Sequence, residues 1–413
     1  MIKMKRAFCL FVVLFSFSGG FAVAEDRPRA RDLGVPFPGQ PGPLNAITDV
    51  AGVEVGQTTL IRGEGKLRRG KGPVRTGVTA IHPRGKDSIE PVFASWFPLN
   101  ASGEMTGTTW LEERGLLDGP IVITNTHSVG VARDAAVEWM VDKGWPALWH
   151  APVAAETFDG FLNDINGFHV TKKDVMKALR TASGGLVKEG SVGGGTGMIC
   201  NAFKAGNGTS SRLVTLGDNT YAVGVLVQCN YGRRAELITI AGVPVPELQD
   251  AAKICYEDRS IEGAFSSRIG YCDEESPEHG NERAGDGSII VVVATDAPLL
   301  PHQLKRLAKR PSLGLGRLGA VANDGSGDIF IAFSTANTGL LDENKPSSGL
   351  TMHPNNLLSP LFMAVVEATE EAVVNAMVAA DTMTGVDGLR VPELPRDLLA
   401  EIMARHAASA AEE

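Results

Sequence analysis

The chain is 413 residues long, 43% apolar and 21% charged, with a formal net charge of −9. That length permits one large core or two ordinary ones. The negative balance disfavours nucleic acid and anionic lipid as partners and favours small neutral or cationic ones.

Residues 1–24 combine a basic start (MIKMKR), an apolar stretch (AFCLFVVLFSFSGGFAV) and the small-x-small site Ala22-Val23-Ala24. This pattern predicts a secretory signal peptide cut before Glu25 and a periplasmic or secreted mature protein. Losing Lys3, Lys5 and Arg6 makes the mature chain more acidic still. No later segment is long and apolar enough to cross a bilayer, so no membrane partner is expected.

The Pro-, Gly- and Arg-rich stretch 25–45 reads as an extended arm. Beyond it, AGVEVGQTTLI, GVTAIHP, PIVITNTHSVGVA, RLVTLGDNTYAVGVLVQCNYG and SIIVVVAT read as strands bounded by Gly, Asn and Asp turns. Helical periodicity marks ARDAAVEWMVDKG, KKDVMKALRTA, HQLKRLAKR, LFMAVVEATEEAVVNAMVAADTM and RDLLAEIMARHAASAAEE. Strands and amphipathic helices in both halves predict a layered α/β architecture. Residues 246–287 turn acidic, polar and glycine-bearing, which predicts an exposed mobile loop before the strand SIIVVVAT.

Cys9 belongs to the leader, leaving Cys200, Cys229, Cys255 and Cys272. None has metal-ligand spacing. Cys255 and Cys272 bracket a segment that a disulfide would staple, whereas Cys200 and Cys229, in apolar surroundings, are expected to be buried thiols. The eight histidines show no paired ligand spacing, and His127 reads as a turn or core residue. No G-x-S-x-G nucleophile elbow occurs. The block GSVGGGTGM lacks the ending of a phosphate-binding loop and reads as close backbone approach.

Ser288 follows Gly-Asp-Gly and opens the apolar strand. Turn chemistry is the ordinary role of such a serine. Cleavage of Gly287-Ser288 would give it a second one, because an N-terminal serine carries a hydroxyl nucleophile and an α-amine of pKa about 7.7–8.0 that accepts its proton.

Six blocks carry a resemblance: GPLNAITDVAGVEVGQTTL at 43–60, AETFDGFLNDINGFHV at 155–170, SVGGGTGMICNAFKAGNGTSSR at 191–212, VGVLVQCNYG at 223–232, GDGSIIVVVATDAPL at 285–299 and NDGSGDIFIAFSTAN at 323–337. In these the chain resembles the L-aminopeptidase/D-esterase (DmpA-type, β-peptidyl aminopeptidase) family of self-cleaving serine hydrolases. The resemblance implies a four-layer αββα sandwich of the N-terminal-nucleophile kind. It implies cleavage at Gly287-Ser288 into chains 25–287 and 288–413 that form one domain, and a homo-oligomer of cleaved pairs. Ser288 is then the nucleophile, Ser326 and Asp328 match the assisting serine and carboxylate, and Asn230 matches the oxyanion-hole asparagine. A Ser-x-Asp pair on an extended segment sends both side chains to one face. Glu156 and Asp159 are candidates for the substrate ammonium, with helix capping or a structural pair as the alternative. Phe158 and Phe161 stand near the site where some family members have an aromatic hydroxyl, so no tyrosine is assigned.

The expected activity is removal of N-terminal residues from short peptides, amides or esters, with no metal or nucleotide cofactor required. Two rivals remain: an acyltransferase of similar architecture, and an exported peptide-binding protein without turnover.

Overall fold

The structure, a computed structural model, describes residues 28–266, 269–274, 287–341 and 349–412. The expected leader and its cleavage site lie outside the described residues, as do Gly285 and Asp286 of the junction. Among the described residues no helix is long and apolar enough to cross a membrane.

Among those residues, ten strands build two main sheets: β1 (Glu54–Arg62), β2 (Val74–His82), β3 (Val92–Ala101), β4 (Leu116–Leu117), β5 (Ile121–Asn125), β6 (Val153–Thr157), β7 (Asn207–Leu216), β8 (Asn219–Asn230), β9 (Ser288–Thr295) and β10 (Gly327–Ser334). The first sheet runs β1-β2-β5-β6 and the second β4-β3-β10-β9-β8-β7. The helices are α1 (Thr108–Arg114), α2 (Val129–Asp142), α3 (Lys172–Thr181), α4 (Pro301–Ala308), α5 (Pro311–Arg317), α6 (Ser359–Val378) and α7 (Arg396–Glu412).

Alternation along the strands sorts the apolar side chains into layers. Val78, Ala80, Val122 and Ala154 of the first sheet pack on α2 and α3. The opposite face, with Ile81, Ile121, Ile123 and Val153, meets Leu226, Ile290, Val292 and Ile331 of the second sheet. The far side of the second sheet, with Val227, Ile289, Val291 and Phe330, is covered by α4, α5 and α6. The order helix, sheet, sheet, helix is the expected αββα sandwich. Glycines allow the close layering: a Cβ on Gly56 of β1 would fall 2.0 Å from Ala178 O of α3, and one on Gly208 of β7 would fall 1.9 Å from Ala372 O of α6.

Three expectations need correction. The strand-like run PIVITNTHSVGVA holds β5 only to Asn125, and Val129 already starts α2. His127 sits in the intervening turn, exposed, with its ring stacked 6.0 Å from that of Phe168. The predicted mobile loop 246–287 is largely ordered where described: Cys255–Tyr256 pairs with Leu389–Val391, and Leu248 and Tyr256 are buried. Apolar residues spaced through that polar segment dock it on a small core with Leu162, Ile199 and Leu389. Finally, Cys200 and Cys229 are bonded to each other, as are Cys255 and Cys272. The first pair is expected from sequence as buried thiols because both cysteines sit in apolar surroundings, yet folding brings their Cα atoms, 29 residues apart in the chain, to 5.8 Å; the second is the pair expected to be bridged.

Candidate active site

The strand β9 is central in its sheet, antiparallel to β8 on one side and parallel to β10 on the other. This register sets Ser288 directly opposite Asn230 and beside Gly327. Ser288 and Asn230 therefore share a face, and alternation with Ile290 and Leu226 turns that face toward the first sheet. Both are buried, at 4% and 5% exposure. A Cβ on Gly327 would lie 3.0 Å from Ser288 Oγ, so the absence of a side chain there leaves room at the hydroxyl.

Gly287 is buried too, and its carbonyl, the one a cleavage at this junction would attack, accepts a hydrogen bond from Gly327 N–H at 3.0 Å. A Cβ on Gly287 would fall 1.7 Å from Asn230 O. The glycine is thus required by close approach of β8. The junction is also not the exposed site expected from the composition of the preceding segment.

Asn230 is held at both ends of its amide: Oδ1 accepts from Ile199 N–H at 2.8 Å, and Nδ2 donates to Phe158 O at 2.9 Å. One N–H of Nδ2 is committed by that bond, leaving the second free to donate. The Gly-rich run Gly193–Gly197 supports this region by backbone contact, since a Cβ on Gly194 would fall 2.1 Å from Gln228 Oε1. The close-approach reading of GSVGGGTGM therefore holds.

Ser326 and Asp328 come together as the Ser-x-Asp spacing predicts: Ser326 Oγ donates to Asp328 Oδ1 at 2.6 Å, with both residues 2% exposed. Asp328 alternates with Ile329 and shares the helix-facing side with Phe330. The pair thus flanks the start of β9 from the side opposite the Ser288 hydroxyl, and Ile289 N–H donates to the carboxylate. Burial pushes the Asp328 carboxyl up to about 6, against the two hydrogen bonds that favour its ionised form. Tyr231, next to Asn230, points into the same helix-facing core; burial and the Asp328 carboxylate raise its phenol, and its hydroxyl has no hydrogen-bond partner among the described residues.

Glu156 and Asp159 are both buried but differ in setting. Glu156 accepts from Glu104 N–H at 3.0 Å and from the Thr126 hydroxyl, and burial raises its pKa. Its Oε1 lies 2.9 Å from where a Cβ on Gly103 would stand, and that point is 3.4 Å from Gly327 Cα, so the carboxylate borders the Ser288 region. Asp159 is fully enclosed, accepts from Asn163 Nδ2 at 3.0 Å, and is pushed by burial up to about 7. Residues given no role from the sequence also belong here: Gly327, Ile199 and Phe158 contribute backbone groups. A backbone role leaves no residue-type signal, although all three lie in the recognised blocks.

An N-terminal-nucleophile hydrolase is the class this sandwich and serine junction define. The family model for peptidase family S58 matches residues 45–391, and the chain belongs to that family. The chain is 56% identical over 385 residues to the beta-peptidyl aminopeptidase BapA of Sphingosinicella microcystinivorans, covering 93% of this chain and 94% of the relative. Among solved structures, the L-aminopeptidase D-Ala-esterase/amidase of Ochrobactrum anthropi, described as a variant of the Ntn hydrolase fold, matches with TM-score 0.80 and 46% identity over 92% of this chain and 99% of that one. A Burkholderia sp. beta-aminopeptidase matches with TM-score 0.77 and 43% identity, covering 92% and 99%. The protein is accordingly a serine aminopeptidase, a hydrolase.

Proposed function

We propose that the chain is an exported precursor that cleaves itself at Gly287-Ser288 and then releases N-terminal residues from short peptides, amides or esters through an acyl-enzyme on Ser288. The observation that carries the reading is the register at the start of β9, which brings Ser288, Asn230 and Gly327 side by side. Burial of Gly287 and Ser288 favours attack from within over an external protease. In processing, Ser288 Oγ attacks the Gly287 carbonyl carbon; the C–N bond breaks, the nitrogen leaves as an amine carrying the hydroxyl proton, and water hydrolyses the resulting ester.

In turnover the neutral α-amine takes the Ser288 Oγ proton as Oγ attacks the substrate carbonyl. The free N–H of Asn230 Nδ2 meets the developing oxyanion. The ammonium passes its proton to the leaving group, and water completes the cycle. The α-amine would lie at the strand start, between the hydroxyl on one face and the Ser326–Asp328 pair on the other, which orients it and stabilises its charged form. Glu156 is the better of the two acids for the substrate ammonium, because Asp159 is enclosed with Asn163. Two disulfides among the described residues fit an oxidising compartment, periplasmic or extracellular. Assembly of cleaved pairs into a homo-oligomer belongs to the same proposal, by likeness to the family.

Intact mass and N-terminal sequencing of the wild type and Ser288→Ala test the reading. The wild type should yield a fragment beginning at Ser288, and the variant should stay whole and inactive. Splitting of Ser288→Ala at the same bond would refute the mechanism.

A further inference from the structure

Lys204 is a fully buried ammonium in the short hairpin formed by Ile199–Cys200 and Phe203–Lys204. Its Nζ donates to Met198 O at 2.9 Å and to Ala205 O at 2.6 Å. Desolvation lowers its pKa to about 7, and no carboxylate among the described residues offsets that effect. A buried charge satisfied only by carbonyls is costly, so its position relative to the site matters.

Met198 O and Ile199 N–H are the two ends of one peptide group. At one end the carbonyl accepts from the Lys204 ammonium; at the other the N–H donates to Asn230 Oδ1 at 2.8 Å. An ammonium on a peptide carbonyl polarises the group and strengthens its N–H as a donor. That N–H draws electron density from Asn230 Oδ1, which makes the Nδ2 hydrogens better donors in turn. Ala205 N–H also binds Met198 O, at 3.1 Å, so the peptide is fixed in orientation as well as polarised.

We infer that Lys204 is a positioning residue for hydrolysis: through the Met198–Ile199 peptide its ammonium orients and polarises the Asn230 amide that receives the substrate oxyanion. The inference rests on the reading of Asn230 as the oxyanion donor. Lys204 itself touches neither substrate nor nucleophile.

A double-mutant cycle separates this role from simple support of the hairpin. Wild type, Lys204→Met, Asn230→Ala and the double variant are compared on an aminoacyl p-nitroanilide, with intact mass confirming that each is processed. Asn230→Ala should lower kcat by about a hundred- to a thousandfold. Lys204→Met should lower kcat by roughly ten- to a hundredfold, with KM within about twofold, as expected for a group that tunes a reacting one. In the double variant the Lys204 change should add nothing further. Losses that multiply, an unchanged kcat in Lys204→Met, or a rise in KM alone would overturn the inference. An unchanged kcat in Asn230→Ala would instead remove the oxyanion assignment, and with it this role.

If Lys204→Met fails to fold or process, the ratio of wild-type to Asn230→Ala kcat from about pH 5 to 9 decides, with Asn230→Ser in its place should that variant fail. Neutralising the α-amine raises kcat with pH in both proteins and cancels in the ratio, whereas neutralising Lys204 weakens the Asn230 donor and acts on the wild type alone. Asp159, pushed by burial up to about 7, titrates in the same window, so the ratio is taken in an Asp159→Asn background as well; Arg234 binds the carbonyls of Asn201 and Ala202, and Glu393 faces Thr382 and Arg396. The ratio should fall by roughly tenfold through an apparent pKa near that of the buried amine. A ratio that stays constant through about pH 9 would overturn the inference.

Discussion

Asp328 shows at the scale of one residue how a site is held against its own stability. Its carboxyl titrates near 6 in the folded chain, against about 3.9 when unfolded. Between those values the folded chain binds the extra proton. The carboxylate therefore costs nothing below about pH 4 and subtracts stability as pH rises through 6. In a Ser288→Ala background, where both proteins stay uncleaved, Asp328→Asn should raise thermal stability at pH 7.5 by about 1–3 kcal/mol, and the two melting curves should converge near pH 4. Differential scanning calorimetry across that range checks it, and a destabilised Asp328→Asn at pH 7.5 would show that the lost hydrogen bonds outweigh the removed charge. The family resemblance singled out Ser326 and Asp328, and that the two share a face was legible from their spacing on an extended segment. The disulfide partner of Cys200 was not, since only the closing of β8 over the hairpin brings Cys229 to it.

Among the elements, those with strong periodicity were read directly. The run LFMAVVEATEEAVVNAMV forms α6, and SIIVVVAT forms β9. In α3 the Asp174 carboxylate accepts from the Thr171 N–H at 2.9 Å and its hydroxyl at 2.6 Å, anchoring the helix start. The elements missed include β3, VFASWFPLNA, despite its strand-favouring aromatics, and two whose residues carry a weak local preference. The strand β6, VAAET, is built from small residues, and α5, PSLGLGR, contains two glycines; neighbours hold both in place. Packing between elements leans on glycine as contact, not as flexibility. Gly208→Ala would drive a methyl into Ala372 O and lift α6 from β7, and we expect a loss of about 1–3 kcal/mol or more, read as a lower denaturation midpoint in urea. A midpoint equal to wild type would mean that α6 shifts without cost.

For the whole molecule, the decisive feature is that β9 and β10, which follow the junction, lie inside a sheet whose other strands precede it. Neither piece alone has a complete core. After the proposed cleavage the two fragments should co-elute on native size exclusion. Both disulfides fall within the fragment before the junction, so denaturation without reductant should separate the pieces on a gel. Co-migration under those conditions would show a covalent link across residues 287 and 288, and the processing model would fail.

By itself the sequence determined the periodicity of its strands and main helices, the serine at the head of the apolar strand, and the ordered blocks that carry the family resemblance, because each is written in local residue types and short spacings. The tertiary structure decided that the junction is buried, that Asn230 stands opposite Ser288, that Cys200 pairs with Cys229 and that the buried Lys204 reaches Asn230 through one peptide group. Those facts depend on sheet register and backbone hydrogen bonds between distant segments, which no local pattern encodes.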